Sequence, residues 1–283
     1  MPKKYSHSRL SIFEHCPLKY KYRYIDQIVP ELEKTIETLL GNVIHETLEW
    51  LYEQTKNNKV PTIDELIVHY SKNWEENYTP NLIIVQEGLT ARDFFNKGIR
   101  FLLDYYLKYH PFKENTIALE KKVEINLGEN KEYILQGFID RLVHNKELDE
   151  YEVHDYKTSG SLPTKEKIDT DRQLALYSIA IKELYGKDKN VCLVWHYLNF
   201  NKKICSRRTD EQLEKLKQDI LELIKKIEQT KEFPSNKSPA CKWCEYISIC
   251  PEWSNKQLKT TEKPKLPREE IDRYPTLKKY LRE

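Results

Sequence analysis

The stretch that most limits how this chain can fold is Gly137-Phe138-Ile139-Asp140-Arg141, read with Tyr151-Glu152-Val153-His154-Asp155-Tyr156-Lys157 a short turn downstream. Both have the composition of short strands, whose side chains alternate between two faces. On the second strand Asp155 and Lys157 therefore share a face with Tyr151 and Val153, while His154 and Tyr156 point the other way. Two carboxylates on neighbouring strands, with an ammonium two residues from one of them, suit a divalent cation that activates water beside a phosphate. Carboxylate oxygens hold a hard ion such as Mg²⁺, and Lys157 adds a mobile positive charge for the phosphoryl oxygens. A solvated, charged hairpin gives the same letters, so the rest of the chain has to decide.

Upstream, apolar residues recur at helical spacing. Ser8 is the expected N-cap of a helix reaching Tyr24, re-angled at Cys16-Pro17, since Pro is tolerated in a first turn. Gly41 precedes a helix expected over 42–56, with Ile44, Leu48 and Leu51 as its core stripe and His45 at the stripe's edge. Thr62 and Glu65 form a capping box that opens a helix to Tyr78. A further helix runs from near Thr90 to His110 and stops at Pro111. The period then changes. Ile117, Leu119, Val123, Ile125 and Leu127 alternate with polar residues as in a strand, with Glu120 and Glu124 on its polar side; Glu120 could support a second metal or face water, and water is the preferred reading.

The next strand is expected to carry Ile134, Phe138, Asp140 and Leu142 on one face, so that three strands joined by short turns form an antiparallel meander. Asp169 to Tyr185 reads as an amphipathic helix with Gln173 and Tyr177 one turn apart. Asn190 to Leu198 reads as a strand with a partner around Ile204. Thr209 and Gln212 cap a last long helix whose stripe is Leu213, Leu216, Ile220, Leu223 and Ile227.

Net charge excludes no partner, because 47 Lys and Arg nearly balance 45 Asp and Glu. Its distribution says more. Lys3, Lys4, Arg9, Lys19, Lys21 and Arg23 face the single acid Glu14 in the first 25 residues, interleaved with Tyr5, Phe13, Tyr20, Tyr22 and Tyr24. Cations for phosphates and rings for bases make a single-strand groove; a helix with a basic solvent face has the same composition. No apolar leader and no run near the ~20 residues of a membrane span occur, so a soluble, cytoplasmic protein without membrane partners is expected. In a reducing compartment six cysteines point to metal or buried thiols rather than disulfides. Cys241-x2-Cys244-x5-Cys250 has ligand spacing, and Cys16 is the natural fourth ligand; Cys192 and Cys205 are expected as buried thiols. Four thiolates fit zinc or an iron–sulfur cluster, and spacing does not choose. Either would close a loop across nearly the whole chain.

The motifs Ser8-Arg9-Leu10-x2-Phe13-x2-Cys16-Pro17, Gly41-x3-His45-Glu46, Gly137-Phe138-Ile139-Asp140-Arg141, Asp155-Tyr156-Lys157-Thr158 and Gln173-x3-Tyr177 stand in the order seen in RecB-like nucleases of the PD-(D/E)XK superfamily. With the cysteine motif added, the chain resembles the iron–sulfur branch. That branch includes nuclease domains of bacterial recombination helicase–nucleases, CRISPR-adaptation exonucleases and a eukaryotic replication helicase–nuclease. The resemblance runs from Ser8 to Pro251, and the name-giving Pro-Asp is Ile139-Asp140 here.

The resemblance implies an α/β (α+β) fold with a restriction-endonuclease-like core: a central mixed sheet with an antiparallel meander, flanked by helices, plus a helical insertion and a cysteine-stapled module of both termini. A single nuclease domain, 1–283, would contain a helical region at 41–116, the core at 117–230, an iron–sulfur module of 1–25 with 233–253, and a peripheral tail at 257–283. It further implies that His45, Asp140, Asp155 and the Tyr156 carbonyl bind Mg²⁺ or Mn²⁺. Asp140, Asp155, Lys157, Gln173 and Tyr177 would be the catalytic set, with Lys157 orienting water or offsetting charge on phosphorus. Gln173 and Tyr177 would position the site and the strand being cut. Cys16, Cys241, Cys244 and Cys250 would hold a 4Fe-4S cluster.

The implied activity is a metal-dependent DNA exonuclease acting on single-stranded ends in repair, recombination or CRISPR adaptation. Its partners would be DNA, met by Arg9, Lys19, Tyr20 and Arg23, and a helicase or a CRISPR or repair complex. The alternative is a non-catalytic DNA-binding or scaffolding subunit, which loss of a metal ligand or of the lysine would mark; none is lost.

Overall fold

The computed structural model describes residues 2–30, 35–79, 82–86 and 88–253; the expected tail at 257–283 lies outside them. Strands β1 (Lys3–Ser6), β2 (Thr116–Leu127), β3 (Tyr133–Asn145), β4 (Glu150–Lys157), β5 (Asn190–Tyr197) and β6 (Lys202–Ser206) form one mixed sheet. β3 is its hub. β2 runs antiparallel along one edge of β3, while β1, parallel, and then β4, antiparallel, follow one another along the other edge. The expected meander is therefore β2–β3–β4. β4 and β5 are parallel, which demands a crossover, and α6 (Lys165–Asp169) with α7 (Arg172–Tyr185) supplies it. β6 pairs antiparallel with β5.

Each face of the sheet is covered by helices, giving two cores. On one face α1 (His7–His15), α7 and α8 (Asp210–Gln229) bury Leu10, Leu174, Ile220 and Ile224 against Ile139, Val153 and Leu193. On the other, α3 (Ile36–Lys56), α4 (Ile63–Asn77) and α5 (Ala91–Tyr109) pack with Tyr156 and Leu198. Tyr151 and Val153 thus lie opposite Tyr156, as strand alternation requires.

The capping boxes at Thr62/Glu65 and Thr209/Gln212 form as expected, and Thr90 with Asp93 makes a third. Two starts differ. The cap of α1 is Ser6 rather than Ser8, because the end of β1 already supplies an extended residue whose hydroxyl accepts the Arg9 N–H. α3 starts at Ile36 with Thr35 as cap, ahead of Gly41, because Ile36, Leu39, Leu40 and Val43 extend the buried stripe upstream. After Cys16 the chain turns into α2 (Pro17–Tyr20), which widens into a π turn over Lys21–Ile25. Cys192 is buried as expected, but Cys205 is exposed because β6 is an edge strand.

Alternation on β3 breaks at one point. Ile139 and Leu142 both lie in the α1/α7/α8 core, whereas Asp140 and Arg141 both turn toward α3, Asp140 to His45 and Arg141 to Tyr52. Leu142 and Asp140 therefore do not share the expected face. Opposite them on β2, Glu120 sits between the pairs Leu119↔Arg141 and Lys121↔Ile139 with φ +41, in the left-handed region that side chains rarely adopt. Leu119 packs with the α3 layer, while Lys121 lies over Tyr185 of α7. One left-handed residue resets which side the following residues face, as a bulge does.

The helical layer has its own tight spot. A Cβ on Gly98 would stand 2.0 Å from the Tyr70 hydroxyl and 2.9 Å from Leu40 Cδ1, and that hydroxyl is already held by the Phe95 carbonyl at 3.1 Å. Gly98→Ala is expected to lower stability by about 1–3 kcal/mol through overpacking, outweighing the ~1 kcal/mol of helix propensity it gains. Urea unfolding reads this directly, and a raised midpoint would contradict the close approach of α4 and α5.

Candidate active site

The reset at Glu120 brings Asp140 to the end of β4 that carries Asp155, Tyr156 and Lys157. Asp140 Oδ2 accepts the Tyr156 N–H at 3.1 Å and lies 3.2 Å from His45 Nδ1. The other ring nitrogen, His45 Nε2, is 2.7 Å from the Tyr156 carbonyl. Lys157 Nζ donates to Asp155 Oδ1 at 2.9 Å and to Gln173 Oε1 at 3.3 Å, and its charge lies 2.7 Å from Asp155 Oδ2. The Gln173 amide nitrogen in turn donates to the Tyr177 hydroxyl at 3.5 Å. Tyr177 lies across β3 at Gly137, where a Cβ would stand 2.4 Å from its ring. Glycine at 137 is what lets α7 approach this closely.

His45, Asp140, Asp155, Tyr156, Lys157, Gln173 and Tyr177 are thus linked in one constellation built by α3, β3, β4 and α7. For Glu120 the sequence reading prefers water over support of a metal. Its carboxylate does not simply face water: His45, Glu120 and Asp140 each offer a ligand atom, all within 4.8 Å of one another. The only available signal was its register opposite Asp140, which no period-2 pattern reports. His154, expected to point the other way from Asp155, is fully buried on the opposite face of β4.

Burial and like charge raise the acids. Burial, then Asp140, push Asp155 up to about 6 against the pull of Lys157. Burial, then Asp140 and Glu49, take Glu120 up to about 7. Burial would lower His45, but its hydrogen bond to Asp140 and the charges of Asp140 and Asp155 outweigh that and raise it to about 9. A doubly protonated His45 donates to Asp140 and to the Tyr156 carbonyl together.

These donors suit a hard divalent cation. An octahedral ion at 2.0–2.1 Å sets neighbouring ligands about 3 Å apart; a neutral imidazole offers one lone pair, and His45 Nδ1, 3.2 Å from Asp140 Oδ2, stands at that spacing. Offering a His45 lone pair to a cation costs a proton, so affinity rises with pH.

The terminal segments meet away from this constellation. Cys16, Cys241, Cys244 and Cys250 line one cavity of about 220 Å³. The Ser238 N–H donates to Cys241 Sγ at 3.4 Å, and burial raises the Cys244 thiol.

The residues expected to meet DNA fare differently. Tyr20 is 2% exposed and stacked on Phe233, so it belongs to the core and offers bases no surface. Arg9 donates to the Tyr20 hydroxyl and the Lys4 carbonyl and lies over the Tyr5 ring. Lys19 pairs with Glu245 at 2.6 Å, and Arg23 reaches the same carboxylate at 3.5 Å. The acid that neutralises Lys19 and Arg23 thus lies more than two hundred positions downstream, while Lys21 pairs with the local Asp26.

Residues 4–251 match the family model of the PD-(D/E)XK nuclease superfamily, and the chain belongs to that superfamily. It is a hydrolytic nuclease on a mixed α/β fold of the restriction-endonuclease-like type. Among solved structures it is similar to a candidate exonuclease from Eubacterium rectale, at 13% identity and a TM-score of 0.47 over 94% of this chain and 91% of that one. It is also similar to the protein SSO0001, at 14% identity and a TM-score of 0.37 over 86% of this chain and 97% of that one. No curated protein matches the sequence.

Because His45 rises from 6.5 to about 9 on folding, its stabilising contribution is full below pH 6.5 and is lost as pH rises through 9. Asp155 and Glu120, also raised, act in the same sense but at lower pH. With the His45 side chain 32% exposed, wild type in chelator should lose on the order of 1–2 kcal/mol between pH 7 and 9. His45→Asn should lack that slope. Urea unfolding across this range checks it, and a flat wild-type profile would count against a shared His45 proton.

Proposed function

We propose that the protein is a Mg²⁺- or Mn²⁺-dependent exonuclease of the RecB-like, iron–sulfur branch, cutting single-stranded DNA from its ends. The observation that supports this best is the junction of His45, Asp140 and the Tyr156 carbonyl with the Asp155–Lys157–Gln173 chain. In this reading His45, Asp140, Asp155 and the Tyr156 carbonyl face the cation, with Glu120 beside them. A bound divalent cation would supply positive charge to the scissile phosphate and acidify the attacking water.

The chain's own groups do the rest. Lys157, fixed between Asp155 and Gln173, holds a hydrogen-bond donor toward the water and the phosphoryl oxygens. Gln173 keeps that ammonium from swinging away, and Tyr177 braces Gln173 against the strand at Gly137.

Cys16, Cys241, Cys244 and Cys250 line one cavity, and in this reading they would hold a 4Fe-4S cluster. In that role they would supply thiolates, and the cluster would join both ends of the chain.

Degradation of 5′- and 3′-labelled single- and double-stranded DNA with each metal tests the activity. Asp155→Ala and Lys157→Ala should each slow hydrolysis about a hundredfold or more. An Asp155→Ala protein that cuts at the wild-type rate would remove the reading. Anaerobically purified protein should absorb near ~400 nm and contain iron. Cys250→Ser should lose that band and melt at a lower temperature, and a colourless, zinc-loaded wild type would point to the other metal.

A further inference from the structure

Behind β3 and β4, on the α3 side, lies a buried polar network that the proposed chemistry does not use. Its centre is Arg141, whose side chain has no exposed surface. Its Nε donates to the Tyr156 hydroxyl at 3.0 Å. Nη1 donates to Glu114 at 2.6 Å and Thr116 Oγ1 at 3.4 Å, and Nη2 to His154 Nδ1 at 2.7 Å. The guanidinium also stacks on the Tyr52 ring at 4.0 Å. His154 and His196 are held neutral, burial first and then neighbouring positive charge pushing both well below their ordinary range. His154 can therefore accept from Arg141 at Nδ1 while its Nε2–H donates to Glu152 at 3.2 Å.

We propose that Arg141 is a positioning residue of the nuclease site, acting through Tyr156. Tyr156 offers the site its backbone: its N–H is fixed on Asp140 and its carbonyl faces His45. Its ring lies on the α3 side, edge-on to the His45 ring with centroids 5.9 Å apart, and Arg141 holds that ring by its hydroxyl. One guanidinium thus touches β4 through Tyr156, α3 through Tyr52, and β3 by being part of it. These three elements deliver Tyr156 and Asp155, His45, and Asp140.

Stability alone does not account for the charge. Desolvating a guanidinium costs several kcal/mol, and apolar side chains of similar volume often replace buried ion pairs without loss. What an apolar substitute lacks is the planar fork, which sets direction at each nitrogen. A ring held at its far end and a backbone held at the other leave the carbonyl little freedom to turn.

The inference rests on the Tyr156 carbonyl, His45 and Asp140 facing the cation, and it is tested on the full-length protein with Mn²⁺ alone by calorimetry. Tyr156→Phe removes the hydroxyl, and Arg141→Lys keeps the charge without the fork. Each should weaken Mn²⁺ about 10- to 100-fold and lower kcat on single-stranded DNA, with KM for DNA nearly unchanged, since neither group reaches the substrate. Glu152→Gln disturbs the same network at its far end, and should lower Tm while leaving Mn²⁺ affinity at the wild-type value. Folded Tyr156→Phe with wild-type Mn²⁺ affinity overturns the proposal, as does an equal loss in Glu152→Gln, which would make the effect generic loosening. If Arg141→Lys does not fold, Tyr156→Phe decides. Wild type that binds no Mn²⁺ defeats the reading of the site itself, and the inference with it.

Discussion

Side-chain alternation reverses once along the paired strands β2 and β3, and the nuclease site depends on that reversal. Under strict alternation Asp140 and Arg141 would face opposite layers, and one of them would point into the apolar core of α1, α7 and α8. With Glu120 in a left-handed conformation both turn toward α3. The carboxylate then meets His45, and the guanidinium passes beneath it to Tyr156. Strain of this kind costs on the order of 1–3 kcal/mol and persists only where surrounding structure over-determines it. Here that structure is the long β2–β3 ladder, in register on both sides of the strained residue.

Charge follows from the same geometry. Asp140, Asp155 and Glu120 crowd together opposite only Lys157 and His45, so protons stay on groups that would lose them in water. The raised acids and the raised imidazole are one phenomenon seen from two sides: negative charge gathered where solvent is scarce holds whatever positive charge is offered. Lys157 is the fixed part of that compensation, and the His45 proton is the exchangeable part.

Much of this was legible in the amino-acid order. Local rules placed Asp155 with Lys157, turned Tyr156 away, joined β2, β3 and β4, and located the caps at Thr62 and Thr209. Each is decided within a few residues, by a two-residue period or a side chain reaching back to its own helix. Glu120 was misplaced because a single left-handed residue breaks the period without changing composition. Ser8 lost its cap to Ser6 because β1 pairs with β3, a contact between residues far apart in the chain. Tyr20, Arg9 and Lys19 looked like a surface for DNA because Phe233 and Glu245, which occupy Tyr20 and Lys19, lie more than two hundred positions away.

Residues 15–28 are bound to residues 234–246. The Leu18 N–H donates to the Pro234 carbonyl, the Asn236 amide to the His15 carbonyl, and the Tyr246 hydroxyl to the Ile28 carbonyl. During synthesis β1 finds β3 only when residues 133–136 have emerged, and the turns around Cys16 are completed only after residues 234–246 have been made. Until then Tyr20 and Tyr22 lack Phe233 and Tyr246, the rings that pack on them, and the earlier segment is carried unfinished through the making of the whole sheet.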